Sequence, residues 1–311
     1  MKKRYAIGAD IGGSHISTVL VNVETGQMIE DSLAEVKVDN QAASDIILDK
    51  WTGAIHSTMQ FAEDGELVGI GFAMPGPFDY ENGVALLNKV AKYDSLYGIN
   101  VGEALKKRLD LPADFPFRYS NDALSFAIGE CWVGKASQVK NVVAITLGTG
   151  FGSAFLTHGV PVIEGDRVPE SGYVYHIPYE SGIADDYFST RWFVGEYKNR
   201  TGKTFKGVKE IADLVETDEA AKTLFDDFGA NLANFMVPVL SNFDAGCLVI
   251  GGNISGAYAL FGDAFHRVFK QKQMNIEVVI SELMESAAMV GSARLLDEEF
   301  WIDIEPLVAK I

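Results

Sequence analysis

Cysteine is nearly absent: 311 residues contain two, Cys131 and Cys247. One falls in a helical pattern and the other beside a strand, so no disulfide framework is available, and both read as buried thiols suited to a reducing cytoplasm. Positive charge is also scarce, with 26 Lys and Arg against 43 Asp and Glu and a net charge of −17. That balance excludes generic binding to nucleic acid or to an anionic membrane, because those partners demand basic patches. Any phosphate ligand must be gripped locally. No apolar run approaches the ~20 residues that span a bilayer. The opening MKKRYAIGAD has a basic tip but passes straight into a strand pattern containing an acid, which is not the layout of a signal peptide.

What is present is ordinary for a soluble globular enzyme: 48% apolar and 22% charged residues. The length exceeds one usual hydrophobic core, so two domains, or one large duplicated domain with a cleft, are expected. Two stretches share a grammar. Tyr5 to Val23 is an apolar run, an acid, a Gly-Gly-Ser turn and a second apolar run. Val142 to Val162 repeats it around Gly148-Thr149-Gly150-Phe151-Gly152. Turns rich in Gly and hydroxyl residues let backbone N–H groups approach an anion without Cβ hindrance, so the pair reads as two phosphate grips facing one nucleotide.

Between and beyond these hairpins the periodicity predicts a third strand around Met28 to Val38, a helix over Ile46 to Phe61 and a buried strand Leu67 to Phe72. That strand ends in Ala73-Met74-Pro75-Gly76-Pro77, a loop at a carboxyl end where open α/β sheets bind ligands. A helix over Val101 to Leu109 follows, and the composition break at Asp114 to Pro116 suggests the hinge. Asn121 and Asp122 precede a helical run, where Asp122 is either a first-turn acid favoured by the helix dipole or a functional carboxylate. In the second half, helices are expected over Ile183 to Tyr197, over Thr217 to Leu240 with a perturbation at Pro238, around Phe261, Phe265 and Phe269, and over Ala287 to Phe300. Strands are expected at Cys247 to Ile250, leading into Gly251-Gly252-Asn253, and at Val278 to Ile280. Each half therefore reads as hairpin first, then alternating strand and helix, a duplicated ββαβα-type core.

Ile11-Gly12-Gly13-Ser14 is neither GxxxxGK[ST] nor GxGxxG, and a strand rather than a helix follows it, which disfavours Walker and Rossmann sites. Asp10, just before the turn, could orient hydrated Mg²⁺ or could be an Asx-type turn residue. Taken together, Asp10-Ile11-Gly12-Gly13-Ser14, Met74-Pro75-Gly76-Pro77, Asn121-Asp122-Ala123 with Gly129-Glu130, Leu147 to Gly152, and Val249-Ile250-Gly251-Gly252 resemble the ROK family of sugar kinases, within the actin-like ATPase and hexokinase superfamily. Five motifs in the family's order cover nearly the whole chain.

The resemblance implies an α/β fold of two actin-like (ribonuclease H-like) ATPase domains around an interdomain cleft. They are expected at 1–117 and 118–295, with a C-terminal helix at about 296–311 packing back on the first. It implies transfer of the γ-phosphoryl of ATP to a hexose hydroxyl, with ATP and Mg²⁺ as cofactors, in the cytoplasm. Asp122 becomes the general base, since the attacking hydroxyl must lose its proton. Asn121, Asp122, His176, Asp185, Tyr173, Gly76 and Asn88 fall on the sugar side. Asp10, Gly12, Gly13, Ser14, Gly148, Thr149, Gly150, Gly152, Gly251, Gly252 and Asn253 fall on the nucleotide side, Asp10 meeting Mg²⁺ through water. The partners are a sugar and ATP, with no nucleic acid and no membrane. A homodimer stays open.

Three departures stand out. The family's sugar loop Ala-Gly-Glu-x-Gly-His has the counterpart Ser171-Gly172-Tyr173-Val174-Tyr175-His176, where Tyr173 keeps a hydroxyl but loses the charge of Glu. The family's Cys-rich zinc motif after that His is missing, so no zinc site is expected. His15 stands where the family usually has Lys. These departures keep alive a rival, a sugar- or nucleotide-binding protein of this type that has lost catalysis. The family's transcriptional repressors fit less well: they carry a DNA-binding module before the first motif, and nine residues precede Asp10 here.

Overall fold

Strand β1 (Arg4–Ile11) is buried along almost its whole length, as a run apolar on both faces predicts, and it forms the centre of a sheet. The computed structural model describes residues 2–62, 65–87 and 92–311. Around β1 lie β2 (His15–Asn22), β3 (Met28–Lys37), β4 (Glu66–Met74) and β5 (Phe117–Asn121), in the order β3-β2-β1-β4-β5. The first two neighbours pair antiparallel and the last two parallel. Helix α1 (Ser44–Met59) covers one face through Ile47, Leu48, Trp51, Ala54 and Ile55. Its Thr58 and the strand residue Thr18 share a buried hydroxyl pair at 2.7 Å. Helices α2 (Val101–Arg108) and α3 (Asp122–Trp132) complete the first run.

The second sheet repeats the first. It comprises β6 (Asn141–Leu147), β7 (Phe151–Thr157), β8 (Val160–Pro161), β9 (Cys247–Gly251) and β10 (Glu277–Ile280), ordered β8-β7-β6-β9-β10. The pairing senses also match: two antiparallel, then two parallel. The duplicated core expected from the hairpins is thus present strand for strand. Helices α4 (Ala184–Tyr187), α5 (Thr190–Thr201), α6 (Val208–Ala212), α7 (Glu219–Phe243) and α8 (Tyr258–Gln271) enclose an aromatic core with Phe155, Phe188, Phe193, Phe225, Phe228, Phe243, Phe261 and Phe265. Phe193 and Phe228 pack with ring centres 4.6 Å apart.

Helices α9 (Ser286–Arg294) and α10 (Glu298–Val308) return to the first unit, whose extent is Met1–Gly134 with Glu285–Ile311; the second is Lys135–Met284. The chain therefore crosses between units after α3, not at 117/118. Strand β5 explains the difference, since Ile70 to Met74 of β4 pair with Phe117 to Asn121. Helix α9 lies against the first sheet at backbone distance: a Cβ on Gly8 or Gly71 would fall 1.9 Å or 1.8 Å from the Met289 or Ser292 carbonyl oxygen. Gly129 and Gly291 do the same between α3 and α9, at 2.1 Å from Ala287 O and 1.8 Å from Ser125 O. Glycine is required there because any side chain would push the helices apart. Helix α10 is tied by Arg118, which donates to Leu295 O at 2.6 Å and to Glu298 at 2.9 Å and lies over Trp301.

Two expected helices are each broken in two. The run Ile183 to Tyr197 separates into α4 and α5 because Ser189 is extended (φ −137°, ψ 168°). The run Ala287 to Phe300 breaks where Asp297 accepts the Glu299 and Phe300 N–H groups as the N-cap of α10. Helix α7 continues through Pro238 to Phe243. Among the described residues no helix is long and apolar enough to cross a membrane.

Candidate active site

In the first unit the carboxyl ends of three parallel strands lie side by side. Asp10 pairs with Ala73, and Met74 with Asn121, so β1, β4 and β5 deliver Asp10, the Met74 loop and Asn121-Asp122 to one edge of the sheet. That edge is where open α/β sheets place ligands. The Gly12-Gly13-Ser14 turn begins there. Its carbonyls are held from outside: Tyr93 Oη donates to Gly12 O at 2.6 Å, and Asn40 Nδ2 donates to Gly13 O. The Gly12 N–H closes the turn on His15 O at 3.0 Å, which leaves the Gly13 and Ser14 N–H groups to face an anion. Tyr93 is fully buried, edge-on to Trp51 with ring centres 5.4 Å apart.

Asn121 is the N-cap of α3, accepting the Ala123 N–H at 3.0 Å. Its amide Nδ2 reaches Tyr80 Oη at 3.3 Å, and Tyr80 donates to Met74 O at 3.1 Å. Tyr80 Oη also lies 3.5 Å from where a Cβ on Gly76 would sit, so Gly76, Tyr80 and Asn121 form one group. Asp122 opens α3, and its Oδ1 also accepts the Ala123 N–H, at 2.8 Å. Burial pushes its carboxyl above the ordinary carboxylate range, while the Ala123 N–H, the Lys92 ammonium and Asn121 pull it down. The residue keeps an exposed surface, and water at that surface limits the rise.

Asp10 is partly exposed and is pushed up to about 7, first by burial and then by the charges of Asp122 and Glu285. Among the described residues no cluster of three or more His, Cys, Asp or Glu could hold a metal by itself, and a lone carboxylate beside the turn suits a hydrated Mg²⁺ held chiefly by phosphates.

In the second unit the corresponding turn is Gly148-Thr149-Gly150, closed by a Gly148 N–H bond to Gly150 O at 3.0 Å. Helix α5 grips it from below. The Thr190 N–H and hydroxyl donate to Gly148 O at 2.8 and 2.9 Å. Asp185 Oδ1 accepts the Phe151 N–H at 2.7 Å, and its Oδ2 accepts from Arg191 at 2.5 Å. The Gly148 to Gly152 turn lies beside Gly251-Gly252: Gly251 pairs with Thr146, and a Cβ on Gly252 (φ 79°) would lie 2.5 Å from Leu147 O. Asn253 follows as an exposed residue opening a short 3₁₀ turn.

The loop bearing Tyr173 and His176 is pinned by buried Ser153, whose Oγ donates to Gly172 O at 2.8 Å and accepts the Val174 N–H at 3.0 Å. Tyr173 and Tyr175 pack together, with ring centres 5.9 Å apart. His176 is exposed and lines a pocket of about 850 Å³ with Arg167, Tyr179, Asn234 and Phe235, all in the second unit. Asn88 lies outside the described residues.

Thus the first unit gathers Asp10, Gly12, Gly13, Ser14, Gly76, Asn121 and Asp122, and the second gathers Gly148 to Gly152, Asp185, Gly251, Gly252 and Asn253. Tyr80, Lys92, Tyr93, Asn40, Glu285, Thr190 and Arg191 were not singled out by the sequence. Tyr93 reaches Gly12 across 81 residues and Glu285 bears on Asp10 from still farther along the chain, so no local pattern announces them.

The ROK family model matches residues 6–299. The chain belongs to the ROK family. A Thermotoga maritima glucokinase is 29% identical over 96% of this chain and 99% of its own length. An N-acetyl-D-glucosamine kinase of Haemophilus influenzae is 24% identical, covering 80% and 84%. Among solved structures, a ROK family glucokinase from Streptomyces griseus in complex with glucose and AMPPNP superposes with a TM-score of 0.74 at 21% identity, covering 94% of this chain and 98% of its own. The fold is accordingly that of the ROK proteins, two actin-like α/β halves built on one repeated sheet.

Proposed function

We propose that this ROK protein is an ATP-dependent sugar kinase that transfers the γ-phosphoryl of ATP to a hydroxyl of a hexose or N-acetylhexosamine. The observation that carries the reading is Asp122: a carboxylate at the N-terminus of α3, still open to water, on the sheet edge that also bears Asp10 and the Gly12 to Ser14 turn. The glucokinase and N-acetyl-D-glucosamine kinase relatives support the same class of substrate.

In this reading Asp122 accepts the proton of the attacking hydroxyl as that oxygen bonds to the γ-phosphorus and the bond to the β-phosphate oxygen breaks, leaving ADP. Its raised carboxyl is a better proton acceptor than an ordinary one, and base catalysis of this kind contributes about 10²–10⁴-fold. Asn121 spends its oxygen on the helix cap, so it offers its amide N–H to the sugar and is steered by Tyr80. Gly76 leaves room beside that pair. Tyr173, His176 and Asn88 belong to the sugar side by resemblance. The two glycine turns bind phosphate oxygens, and Gly251, Gly252 and Asn253 receive the adenosine. Asp10, through water, would hold Mg²⁺ together with the phosphates, and the ion supplies charge neutralisation there. Asp185 is better suited to bracing the second turn, because both its oxygens already serve Phe151 and Arg191.

A coupled assay of ATP turnover with glucose, mannose, N-acetylglucosamine and N-acetylmannosamine tests the reading. ADP formation dependent on one of these sugars is expected. Binding of sugar and nucleotide without product on every sugar would instead favour a protein that has lost catalysis.

A further inference from the structure

The first phosphate turn lies among carboxylates. The charges of Asp122 and Glu285 both bear on Asp10 there, and the protein as a whole is strongly acidic. A nucleoside triphosphate brings several more negative charges, so a binding edge of this kind needs a cation of its own. His15, the residue after the turn, has its ring 2.6 Å from where a Cβ on Gly12 would sit, but an imidazole is a weaker cation for a phosphate than an ammonium.

Lys92 comes from a distant segment. Its Cε and Nζ lie 3.4 and 3.7 Å from where a Cβ on Gly13 would sit, so the ammonium stands over the bare backbone of the turn. Its charge also acts on Asp122. Among the described residues it makes no ion pair of contact length, and it is only partly buried, so the ammonium is available to a ligand. The attachment is firm. The next residue, Tyr93, is fully buried, bonds Gly12 O through its hydroxyl, and donates its N–H to Asn40 O at 2.9 Å, while Asn40 holds the Gly13 carbonyl. Lysine and turn are thus held together, in the same unit as the base.

We propose that Lys92 is a catalytic residue whose ammonium meets the γ-phosphoryl group at the Gly13 turn and follows it as it moves toward the hydroxyl held by Asp122. The proposal rests on the kinase reading above. Preorganised charge aimed at a transferring phosphoryl is typically worth about 10²–10³ in turnover for one donor. Without nucleotide the same ammonium offsets the charge of Asp122. When the phosphates engage it, Asp122 loses that support and becomes the more basic partner.

The test compares full-length wild type, Lys92→Met and Lys92→Arg in two arms. In the kinetic arm Lys92→Met should lose about 10²–10³-fold in kcat with the sugar KM little changed, and Lys92→Arg should recover much of it. The acid limb of its kcat/KM profile, which reports the free enzyme, should move upward, because Asp122 loses a nearby positive charge. In the binding arm, a non-hydrolysable ATP analogue should weaken more than ADP, since only the former carries the group that Lys92 touches. A merely structural lysine would weaken both alike and leave the pH limb in place. If wild type transfers phosphoryl and Lys92→Met does so equally well, the Lys92 assignment falls and the kinase reading stands. If wild type transfers to no sugar, the kinase reading falls and the ATP-analogue-against-ADP split decides on Lys92 alone. Failure of wild type to bind either nucleotide overturns both.

Discussion

Replacing Asp10 with Asn should make the nucleotide-free protein more stable at pH 8 while disabling it. In the fold, burial and the charges of Asp122 and Glu285 raise the Asp10 carboxyl from 3.8 to about 7. A shift of that size means that ionising Asp10 in the native state costs up to ~4 kcal/mol relative to the unfolded chain. Asp10 is partly exposed, and solvent screening reduces this to roughly 1–2 kcal/mol. The sign follows from proton binding: the native state holds the proton more tightly, so stability is lost as pH rises from about 4 to about 7. Asparagine carries no charge and escapes that loss. Urea or thermal unfolding of both proteins should therefore show Asp10→Asn more stable by a few degrees at pH 8, at about 2–4 °C per kcal/mol. The gain should be mostly gone by pH 4. MgATP should stabilise wild type more than the variant, reversing the order when nucleotide is present. A variant less stable than wild type at pH 8, or a gain that does not shrink with acid, would refute the electrostatic reading of this edge.

Other perturbations test other parts of the site. Gly291→Ala places a Cβ 1.8 Å from Ser125 O and must lever α3 away from α9; the cost should reach the upper end of about 1–3 kcal/mol, measured by urea unfolding. Asp185→Ala removes the acceptor for the Phe151 N–H and the partner of Arg191. It should raise the KM for ATP several-fold and leave the sugar KM near wild type; the opposite split would return Asp185 to the sugar side. Tyr80→Phe deletes the hydroxyl that steers Asn121 and should raise the sugar KM about fivefold, as expected for ~1 kcal/mol of lost hydrogen bonding, with ATP unaffected.

Much of this architecture was legible in the sequence because it is written in short-range patterns. Apolar runs meeting Gly turns marked both hairpins, and Asn121 before a helical run marked the start of α3. What was not legible depends on long-range packing. Strand β5 reads as a strand in any setting, yet its pairing with β4 puts α3 in the first unit and moves the crossing point to 134/135. Ser189 is as acceptable inside a helix as before one, and the Gly148 carbonyl that captures Thr190 makes it a break. Asp185 reads as a first-turn acid or a sugar ligand; it lies in the first turn of α4, and long-range packing adds the Phe151 amide and Arg191 as partners of its two oxygens. Lys92 and Tyr93 sit in a stretch with no motif, and folding alone brings them to the Gly12 to Ser14 turn.

Asp122 is the residue on which the kinase reading turns, and single-turnover transfer from MgATP to the preferred sugar tests it most directly. Asp122→Asn keeps the shape and the helix start, so nucleotide binding and unfolding midpoint should stay close to wild type while formation of the sugar phosphate slows by about 10²–10⁴-fold. Sugar phosphate formed by Asp122→Asn at the wild-type rate would contradict the assignment of this carboxylate as the base.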